Sequence, residues 1–314
     1  MALLLPMARS NLIQRRLLHP RYWTSWFALL TLRLIAMLPL PLLALIGTLI
    51  GELSYRLLSS RRDIARRNID ACFPELDATA RQRMVHRHFW AAGQAMLGTT
   101  LAWFASARRL KRLVRTRDRQ HLDQALAGKR RVILLVAHFV SVEIGGIFLS
   151  IETPVVDIYR TLRNPVFDRA GKLSCERFKG TMVEMREGIS AAIKEAKKGA
   201  LLHYIPDQDA GLKNAAFVPF FGVPASTITM LGRLAKITDA LVIPCFTRQL
   251  PWGQGYEVVF RRPLEQFPTG DALADARRMN EEIEAAVREM PEQYFWVHKR
   301  FKTRPPGEPD FYGK

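Results

Sequence analysis

From residue 131 onward, short apolar runs alternate with longer stretches in which apolar residues recur at helical spacing. The short runs are rich in Val, Ile and Leu and have the length of buried strands; they lie at 131–137, 155–159, 200–205, 241–247 and 256–260. The stretches with helical spacing lie near 143–150, 182–198, 226–237 and 272–289. This alternation predicts an α/β fold with a mostly parallel central sheet and helices on both faces.

The chain before this alternation is predicted to be helical. Residues 51–128 contain a charged periodic run at 61–68, and Asp77 is placed to cap a helix that carries residues 81–97. A basic cluster follows this helix; it consists of Arg108, Arg109, Lys111, Arg112, Arg115, Arg117 and Arg119. A cluster of this kind indicates a surface for an acidic partner.

An apolar tract lies near the N-terminus. Residues 34–50 carry no charge, the aromatic stretch 23–27 precedes them, and arginines flank both ends. Seventeen uncharged residues are few for a membrane span, which takes about 20. A helix that lies in the membrane interface fits the arginines on both sides, and a single span stays open as the alternative. We therefore expect an N-terminal membrane-anchoring segment, residues 1–55, followed by an α/β domain, residues 56–314.

The composition indicates an acidic partner and argues against several classes of site. The chain of 314 residues carries 47 Lys and Arg against 29 Asp and Glu, a formal net charge of +18. This excess points to anionic lipid, an acidic protein or nucleic acid, but nucleic acid binding leaves the apolar tract unexplained. The cysteines Cys72, Cys175 and Cys245 are far apart, which argues against a zinc site or a disulfide framework. No glycine-rich nucleotide-binding loop occurs.

The strongest chemical signal is a histidine with a carboxylate five residues later. His138 directly follows the predicted strand 131–137, and Glu143 completes the run. At the carboxyl end of a parallel strand, His138 is placed to act as a general base on a hydroxyl, with Glu143 orienting its imidazole. A structural interpretation stays open, in which His138 bonds to backbone and Glu143 begins a helix. Ser141 lacks the glycines of a nucleophile elbow, which disfavours a serine hydrolase.

Further polar residues follow two other predicted strands. Asp207 and Asp209 come after the third strand and either form a plain turn or lie beside His138, where they shape the site or orient basic groups. Arg160 and Arg163 come after the second strand and either suit a phosphate group, which guanidinium binds through forked hydrogen bonds, or belong to a solvated basic loop. The aromatic run 217–224 either lines an acyl-chain pocket or covers the core.

Several runs occur in a specific order along nearly the whole chain. They are 61–68, 72–75, 138–143, 159–160, 206–209, 217–221, 291–294 and 298–305. Their order and spacing together resemble the lipid A biosynthesis secondary (late) acyltransferases, a branch of the lysophospholipid acyltransferase superfamily. Glu143 stands where the superfamily more often has aspartate, and it is similar to the variant of this branch.

The resemblance implies an O-acyltransferase at the cytoplasmic face of the bacterial inner membrane. It implies an acyl-acyl carrier protein as donor and, as acceptor, a hydroxyl of a β-hydroxyacyl chain on a phosphorylated lipid A precursor, in lipopolysaccharide biosynthesis. With it, His138 and Glu143 are the expected catalytic residues, and Arg160, Arg163, Asp207 and Asp209 the expected substrate-binding residues. Inner-membrane phospholipids are expected partners; no cofactor, metal or nucleic acid is expected. An acyltransferase for another membrane glycolipid or a lysophospholipid, and a thioesterase, stay open as alternatives.

Overall fold

The computed structural model of the protein describes residues 15–313; residues 1–14, the beginning of the predicted anchoring segment, lie outside that range. The helices in it are α1 (Trp23–Ile35), α2 (Leu40–Leu57), α3 (Ser59–Cys72), α4 (Ala78–Phe104), α5 (Ala107–Leu113), α6 (Gln120–Ala127), α7 (Val142–Ser150), α8 (Pro165–Glu176), α9 (Ile189–Lys197), α10 (Met230–Thr238) and α11 (Ala272–Glu289). The strands in it are β1 (Val114–Arg117), β2 (Arg131–Leu135), β3 (Val155–Tyr159), β4 (Gly180–Glu184), β5 (Leu201–Tyr204), β6 (Ala215–Phe220), β7 (Val223–Ile228), β8 (Ala240–Gln249) and β9 (Tyr256–Phe260).

Seven of these strands form one sheet in the order β1-β9-β8-β2-β5-β3-β4. Neighbouring strands run parallel, except for the antiparallel pair β8 and β9. Strands β6 and β7 form a separate antiparallel hairpin. The prediction of an α/β fold with a mostly parallel central sheet and helices on both faces is confirmed.

Each face of the sheet carries an apolar layer. Along β2, Ile133 and Leu135 point into the layer that contains α9, α10 and α11, whereas Val132 and Leu134 point into the layer that contains α7. All four side chains are at most 2% exposed. The strand that leads to His138 is therefore buried on both faces, which gives the site a rigid base.

Three strands lie where the sequence pattern predicts helix. β1 falls inside the region predicted to be helical, and β4 and β7 overlap the first residues of the helices predicted at 182–198 and 226–237. These strands lack the runs of Val, Ile and Leu that mark the five predicted strands. Pairing with β9, β3 and β6 decides their conformation.

Helix α4 connects the N-terminal helices to the sheet. It has 27 residues, and Asp77 caps it as predicted, because Asp77 Oδ1 accepts a hydrogen bond from Ala80 N at 2.6 Å. One side of α4 packs on α2, and other sides pack on α7 and α8. A single rigid helix thus relates the N-terminal segment to the loop after β2.

Helices α2 and α4 approach each other at backbone distance. A Cβ atom on Gly93 would lie 2.2 Å from the carbonyl oxygen of Gly47 and 2.6 Å from the amide nitrogen of Gly51. Glycine is therefore required at this crossing. Nearby, Gln94 Nε2 donates a hydrogen bond to Thr48 Oγ1 at 2.8 Å. These contacts fix α2 along α4.

The outer side of α1 and α2 is apolar and exposed. The predicted tract 34–50 is divided between them, since α1 ends at Ile35 and α2 begins at Leu40. We call the following exposed side chains the apolar face: Trp23, Phe27, Leu30 and Leu34 of α1, Met37 between the two helices, and Leu42, Leu45, Leu49, Leu53 and Leu57 of α2. Of the described helices, α2 is long and apolar enough to cross a membrane, so the predicted apolar N-terminal helix is present.

The glycine contact generates a stability prediction. Gly93→Ala is expected to destabilise the protein by about 1–3 kcal/mol, because the new Cβ collides with the α2 backbone, although alanine normally favours a helix interior by about 1 kcal/mol. The matched control is Gly171→Ala in α8, whose Cβ would lie 3.5 Å from Trp103, an ordinary contact. Thermal melting compares the two variants. A Gly93→Ala protein that melts as high as Gly171→Ala would contradict the close crossing.

Candidate active site

His138 lies where the chain leaves the central strand β2. Just before it, Val136 N donates a hydrogen bond to Tyr204 O at 2.9 Å, which extends the pairing of β2 with β5. The carbonyl oxygen of His138 accepts a hydrogen bond from Phe295 N at 2.9 Å. Its side chain is 31% exposed. The backbone of His138 is therefore fixed on both sides while its imidazole faces solvent in part.

Asp207 holds the imidazole and the backbone of His138 together. The amide of His138 donates to Asp207 Oδ2 at 3.0 Å, and Nδ1 lies 2.7 Å from Oδ1. A carboxylate only accepts, so Nδ1 carries the proton and Nε2 of the neutral ring keeps its lone pair. No residue in the described range forms a hydrogen bond with Nε2. The arrangement leaves Nε2 available as a base.

The two groups shift each other's titration. Burial alone would lower the pKa of His138, but the charge of Asp207 and its hydrogen bond outweigh burial and hold that pKa above its ordinary value. Burial alone would raise the pKa of Asp207, which is 1% exposed. The charge of His138 and the hydrogen bonds from its ring and amide outweigh that effect and hold the pKa of Asp207 below its ordinary value. The pair thus favours an ionised carboxylate and a basic imidazole.

The structure corrects the role assigned to Glu143. The sequence interpretation had Glu143 orient the imidazole, but Asp207 occupies Nδ1, and Glu143 Oε1 accepts a hydrogen bond from Trp103 Nε1 at 2.6 Å. The spacing of five residues places Glu143 in the first turn of α7. That helix packs on α4, which carries Trp103. Glu143 therefore joins α7 to α4.

The Glu143 carboxyl group lies in an apolar environment. Burial raises its pKa, while hydrogen bonds from Trp103 and Thr99 partly offset that effect; the charge of Asp157 raises the pKa further. Asp157 itself pairs with His203 Nδ1 at 2.5 Å on the same face of the sheet. Glu143 is thus a partly buried acid with an elevated pKa, held by its neighbours on α4.

An apolar cavity of about 280 Å³ begins at His138 and runs between its loop and α4. Its walls are Ala92, Ala95, Met96, Thr99, His138, Phe139, Val140, Val142 and Phe295. The small side chains Ala92 and Ala95 leave room beside the helix, and Met96 is 54% exposed. The cavity is of a size and polarity suited to an alkyl chain.

The aromatic run 217–224 is not part of these walls. It forms the β6–β7 hairpin, and Phe220 and Phe221 are buried in the layer that contains Tyr294 and Phe301. Of the two roles predicted for this run, it fulfils that of covering the core.

The C-terminal segment closes the other side of His138. A cavity of about 10 Å³, enough for about one water molecule, is lined by Asn68, His138, Asp207, Gln208, Tyr294, Phe295, His298 and Arg300. His298 Nε2 accepts a hydrogen bond from Asp209 N at 3.3 Å. Burial and then the charge of His138 lower the pKa of His298. A neutral second histidine therefore lies beside the pair.

Asp209 forms hydrogen bonds with the C-terminal segment. Its Oδ1 accepts from Thr303 Oγ1 and its Oδ2 from Thr303 N, both at 2.8 Å, and Oδ1 also accepts from Gly211 N at 3.2 Å. The expectation that Asp207 and Asp209 assist phosphate-binding arginines is therefore wrong, because their carboxylates bind His138 and Thr303. Both residues instead shape the site, the other role predicted for them.

Arg160 and Arg163 follow β3, at the same edge of the sheet as His138. Both side chains are exposed, and no other described residue forms an ion pair with either. Because β5 separates β3 from β2, the loop after β3 lies about 10 Å from the one after β2. The loop is attached to α1 through Asn164 Nδ2, which donates to Ser25 Oγ at 2.8 Å. The arginines thus lie at the edge of the sheet that carries His138, in a loop attached to α1.

The predicted basic cluster is only partly free. Arg109 donates to the carbonyl oxygens of Ala36 and Leu38 and fixes the junction of α1 with α2. Three other members are in ion pairs: Lys111, Arg117 and Arg119 with Glu152, Glu257 or Glu289. The members that are exposed and without an ion pair in the described range are Arg108, Arg112 and Arg115.

Two residues that matter here, Trp103 and Thr99, carry no signal in the sequence; they bond Glu143 from about forty residues away in the chain. Thr303, which bonds Asp209 across 94 residues, and His298 both lie in a run, 298–305, that the sequence marks by its order. Only folding shows which side chain each of them contacts.

The chain is similar to known proteins over most of its length. A family described as "Bacterial lipid A biosynthesis acyltransferase" matches residues 12–303. The chain is 35% identical to the lipid A biosynthesis lauroyltransferase of Escherichia coli (strain K12), over 94% of this chain and 97% of that protein. It is 34% identical to the lipid A biosynthesis palmitoleoyltransferase of the same strain, over 95% and 97%. Among solved structures, the 1-acyl-sn-glycerophosphate (LPA) acyltransferase PlsC from Thermotoga maritima aligns with 79% of this chain and 96% of its own, with a TM-score of 0.37 and 15% identity.

The motifs of the sequence and the histidine at the strand end therefore have a common explanation. The family matches nearly the full length of the chain, and the relatives carry the same kind of activity over the same span. The chain belongs to the bacterial lipid A biosynthesis acyltransferase family, and it is an acyltransferase of lipid A biosynthesis.

Proposed function

We propose that the protein moves a fatty acyl chain from an acyl-acyl carrier protein to the hydroxyl of a β-hydroxyacyl chain on a lipid A precursor, at the cytoplasmic face of the inner membrane. The observation that carries this proposal is the His138–Asp207 pair at the mouth of an apolar cavity. The base serves the hydroxyl, and the cavity receives an acyl chain. Family membership supports the acceptor class. The charge of the protein supports an acidic donor, and the apolar face supports the membrane contact.

The chemistry needs a base, an attacking hydroxyl and a thioester. Nε2 of His138 takes the proton of the acceptor hydroxyl as its oxygen attacks the thioester carbonyl carbon. Asp207 stabilises the imidazolium that forms, since its charge already raises the pKa of His138. When the tetrahedral intermediate collapses, the carbon–sulfur bond breaks, and the imidazolium returns the proton to the leaving thiolate. The product is an ester, and the base is regenerated.

We assign Glu143 a positioning role in this scheme. Its hydrogen bonds to Trp103 and Thr99 connect the first turn of α7 to α4. Thr99 also lines the cavity, so the same contact sets the distance between the two cavity walls. Loss of Glu143 would then change the placement of the acyl chain more than the basicity of His138.

The proposed acceptor site extends from His138 along the edge of the sheet. A phosphate bound by Arg160 or Arg163 would lie about two strand spacings, or about 10 Å, from the attacked carbon. That separation suits an acceptor in which the phosphate and the reacting hydroxyl are on different parts of one large molecule. The link from Asn164 to Ser25 supports a phosphate position near α1, where a lipid headgroup would lie.

The proposed membrane contact is the apolar face. Helix α2 contacts α4 through Gly47 and Gly51, so one side of it is unavailable to lipid. Its other side exposes leucines at helical spacing. A helix with one protein side and one lipid side fits the interface better than a lone span. We therefore propose that α1 and α2 lie in the membrane surface. They belong to the predicted anchoring segment, residues 1–55, which α2 exceeds by two residues.

An acidic donor fits the charge of the protein. The formal net charge is +18, and Arg108, Arg112 and Arg115 remain exposed on or next to α5. Acyl carrier protein as donor follows from the resemblance, and electrostatic steering would raise its rate of association. Inner-membrane phospholipids are the second acidic partner that this surface suits.

The first prediction tests the reaction itself. His138→Gln is expected to reduce acyl transfer by about 10²–10⁴-fold, because its amide can still donate to Asp207 but cannot serve as base. Mass spectrometry of the lipid product measures transfer, and thermal melting checks the fold. A folded variant with more than half of wild-type activity would refute the base assignment.

The same assay separates a transferase from a thioesterase. We expect wild-type protein to consume donor thioester at least about tenfold faster with the acceptor than without it, because a positioned hydroxyl reacts with the thioester faster than water does. Donor consumption that does not depend on the acceptor would identify a thioesterase instead.

The second prediction compares the two carboxylates. His138 must be neutral to act, so activity falls as pH drops through its pKa, which Asp207 holds above the ordinary value. Asp207→Asn removes that charge: the acid limb of the pH–rate profile should move to lower pH, and kcat should fall by about 10²–10⁴-fold. Glu143→Gln should leave the limb in place. A limb that moves in Glu143→Gln and not in Asp207→Asn would restore Glu143 as the orienting group.

The third prediction concerns the acceptor phosphate. Arg160→Gln and Arg163→Gln should each raise the KM for a bisphosphorylated precursor by about tenfold, the value of one hydrogen bond to a charged group, and leave kcat nearly unchanged. Arg186→Gln is the control, since Arg186 is a 91% exposed arginine after the neighbouring strand β4. If all three variants had the wild-type KM, phosphate binding would lie elsewhere.

A further inference from the structure

Trp252 combines strong exposure with an unusual backbone. It lies in the turn between β8 and β9, its side chain is 86% exposed, and its φ of 57° and ψ of 26° are in the left-handed region. Residues other than glycine and asparagine rarely adopt this backbone conformation. No described residue forms a hydrogen bond or a ring contact with the indole. Packing within the protein therefore gives no reason for a tryptophan here.

The turn that carries Trp252 lies between α2 and α5. On one side, a Cβ atom on Gly253 would be 2.6 Å from Pro41 Cα, so the turn touches the first residues of α2. On the other side, a Cβ atom on Gly255 would be 2.4 Å from Leu113 O, at the end of α5. Trp252 is thus held at the boundary between α2 and α5.

These two elements present complementary surfaces for a bilayer. The α2 side belongs to the apolar face, with Leu42 and Leu45 exposed next to Pro41. The α5 side carries Arg112 and Arg115, which are exposed and form no ion pair with a described residue. An exposed tryptophan between an apolar surface and arginines matches the depth profile of a membrane: acyl chains, then the interface, then anionic headgroups.

We propose that the Trp252 turn is a membrane anchor, whose indole enters the boundary between headgroups and acyl chains of an anionic bilayer. This proposal rests on the proposed membrane contact of the apolar face. Insertion of the indole removes a large apolar surface from water, which offsets the unfavourable backbone conformation at Trp252. The neighbouring arginines add attraction to anionic headgroups.

The anchor would fix the orientation of the enzyme on the membrane. A contact made by α1 and α2 alone allows the protein to rock about these helices. A further contact, made by the turn between β8 and β9, restricts that motion. Because β8 is the neighbour of β2 in the sheet, the turn would hold the carboxyl edge with His138 at a constant height above the lipid.

The bilayer is the favoured occupant over the acidic carrier protein. Both would meet the arginines, but the Trp252 turn also adjoins the first residues of α2, the helix that carries the exposed leucines. An acidic protein surface offers those leucines no match, whereas acyl chains do. Docking of carrier protein on this turn is therefore the competing outcome that the experiment distinguishes.

The experiment measures sedimentation of the full-length protein with vesicles of phosphatidylcholine and phosphatidylglycerol. Trp252→Ala is expected to weaken binding by about tenfold, as burial of one aromatic side chain implies. Trp252→Gly should weaken binding as much but melt no lower than wild type, because glycine adopts positive φ without strain. Leu273→Ala is the control, since Leu273 is a 55% exposed apolar side chain on α11, and it should bind as wild type does.

A second variant separates this proposal from the one on which it rests. Leu45→Lys with Leu49→Lys alters the apolar face alone. If this double variant loses binding while Trp252→Ala binds as wild type does, the anchor is refuted and the membrane face stands. If both bind normally, both proposals fail. If Trp252→Ala keeps its vesicle binding but raises the KM for the carrier-protein donor in detergent, the turn docks carrier protein, and the anchor is refuted.

Discussion

The contact between Asp207 and His138 is the interaction on which the site depends. A buried carboxylate is costly unless its oxygens receive hydrogen bonds, and here one residue supplies two of them, from its amide and its ring. The same contact joins the ends of β2 and β5, selects the imidazole tautomer and raises the pKa of the base. The position of His138 and its protonation therefore depend on the same contact, since a change that frees Asp207 also frees the ring and the amide of His138.

Helix α4 transmits this local order to the rest of the molecule. One side of it contacts α2 through glycines, another side walls the apolar cavity, and Trp103 near its end bonds Glu143. The proposed membrane contact, the apolar cavity and the loop that carries His138 are thus all attached to one helix. The C-terminal segment completes the site from the opposite side, where Asp209 binds Thr303 and His298.

The carboxyl edge of the sheet arranges the proposed substrates in order. Arg160 follows β3, Asp207 follows β5 and His138 follows β2, on adjacent strands. A headgroup phosphate, a reacting hydroxyl and an acyl chain would then lie side by side along one edge. α1 and α2 bring the apolar face near that edge, through the bond of Asn164 to Ser25 and the glycine contacts. An enzyme with this layout can act on a lipid that stays in its membrane.

The sequence by itself determined the elements that have strong local signals: the five strands with apolar runs, the helix at 272–289, the Asp77 cap and the place of His138 at a strand end. It also determined the family, through the order of its motifs. Tertiary structure decided which side chains meet. It bonded His138 to Asp207, which is 69 residues away, rather than to the nearby Glu143, and it used Arg109 to hold a helix junction. Short strands such as β4 also gained their conformation from pairing. The physical reason is that periodicity and capping are local properties of the chain, whereas a hydrogen bond between distant residues exists only after the sheet has aligned its strands.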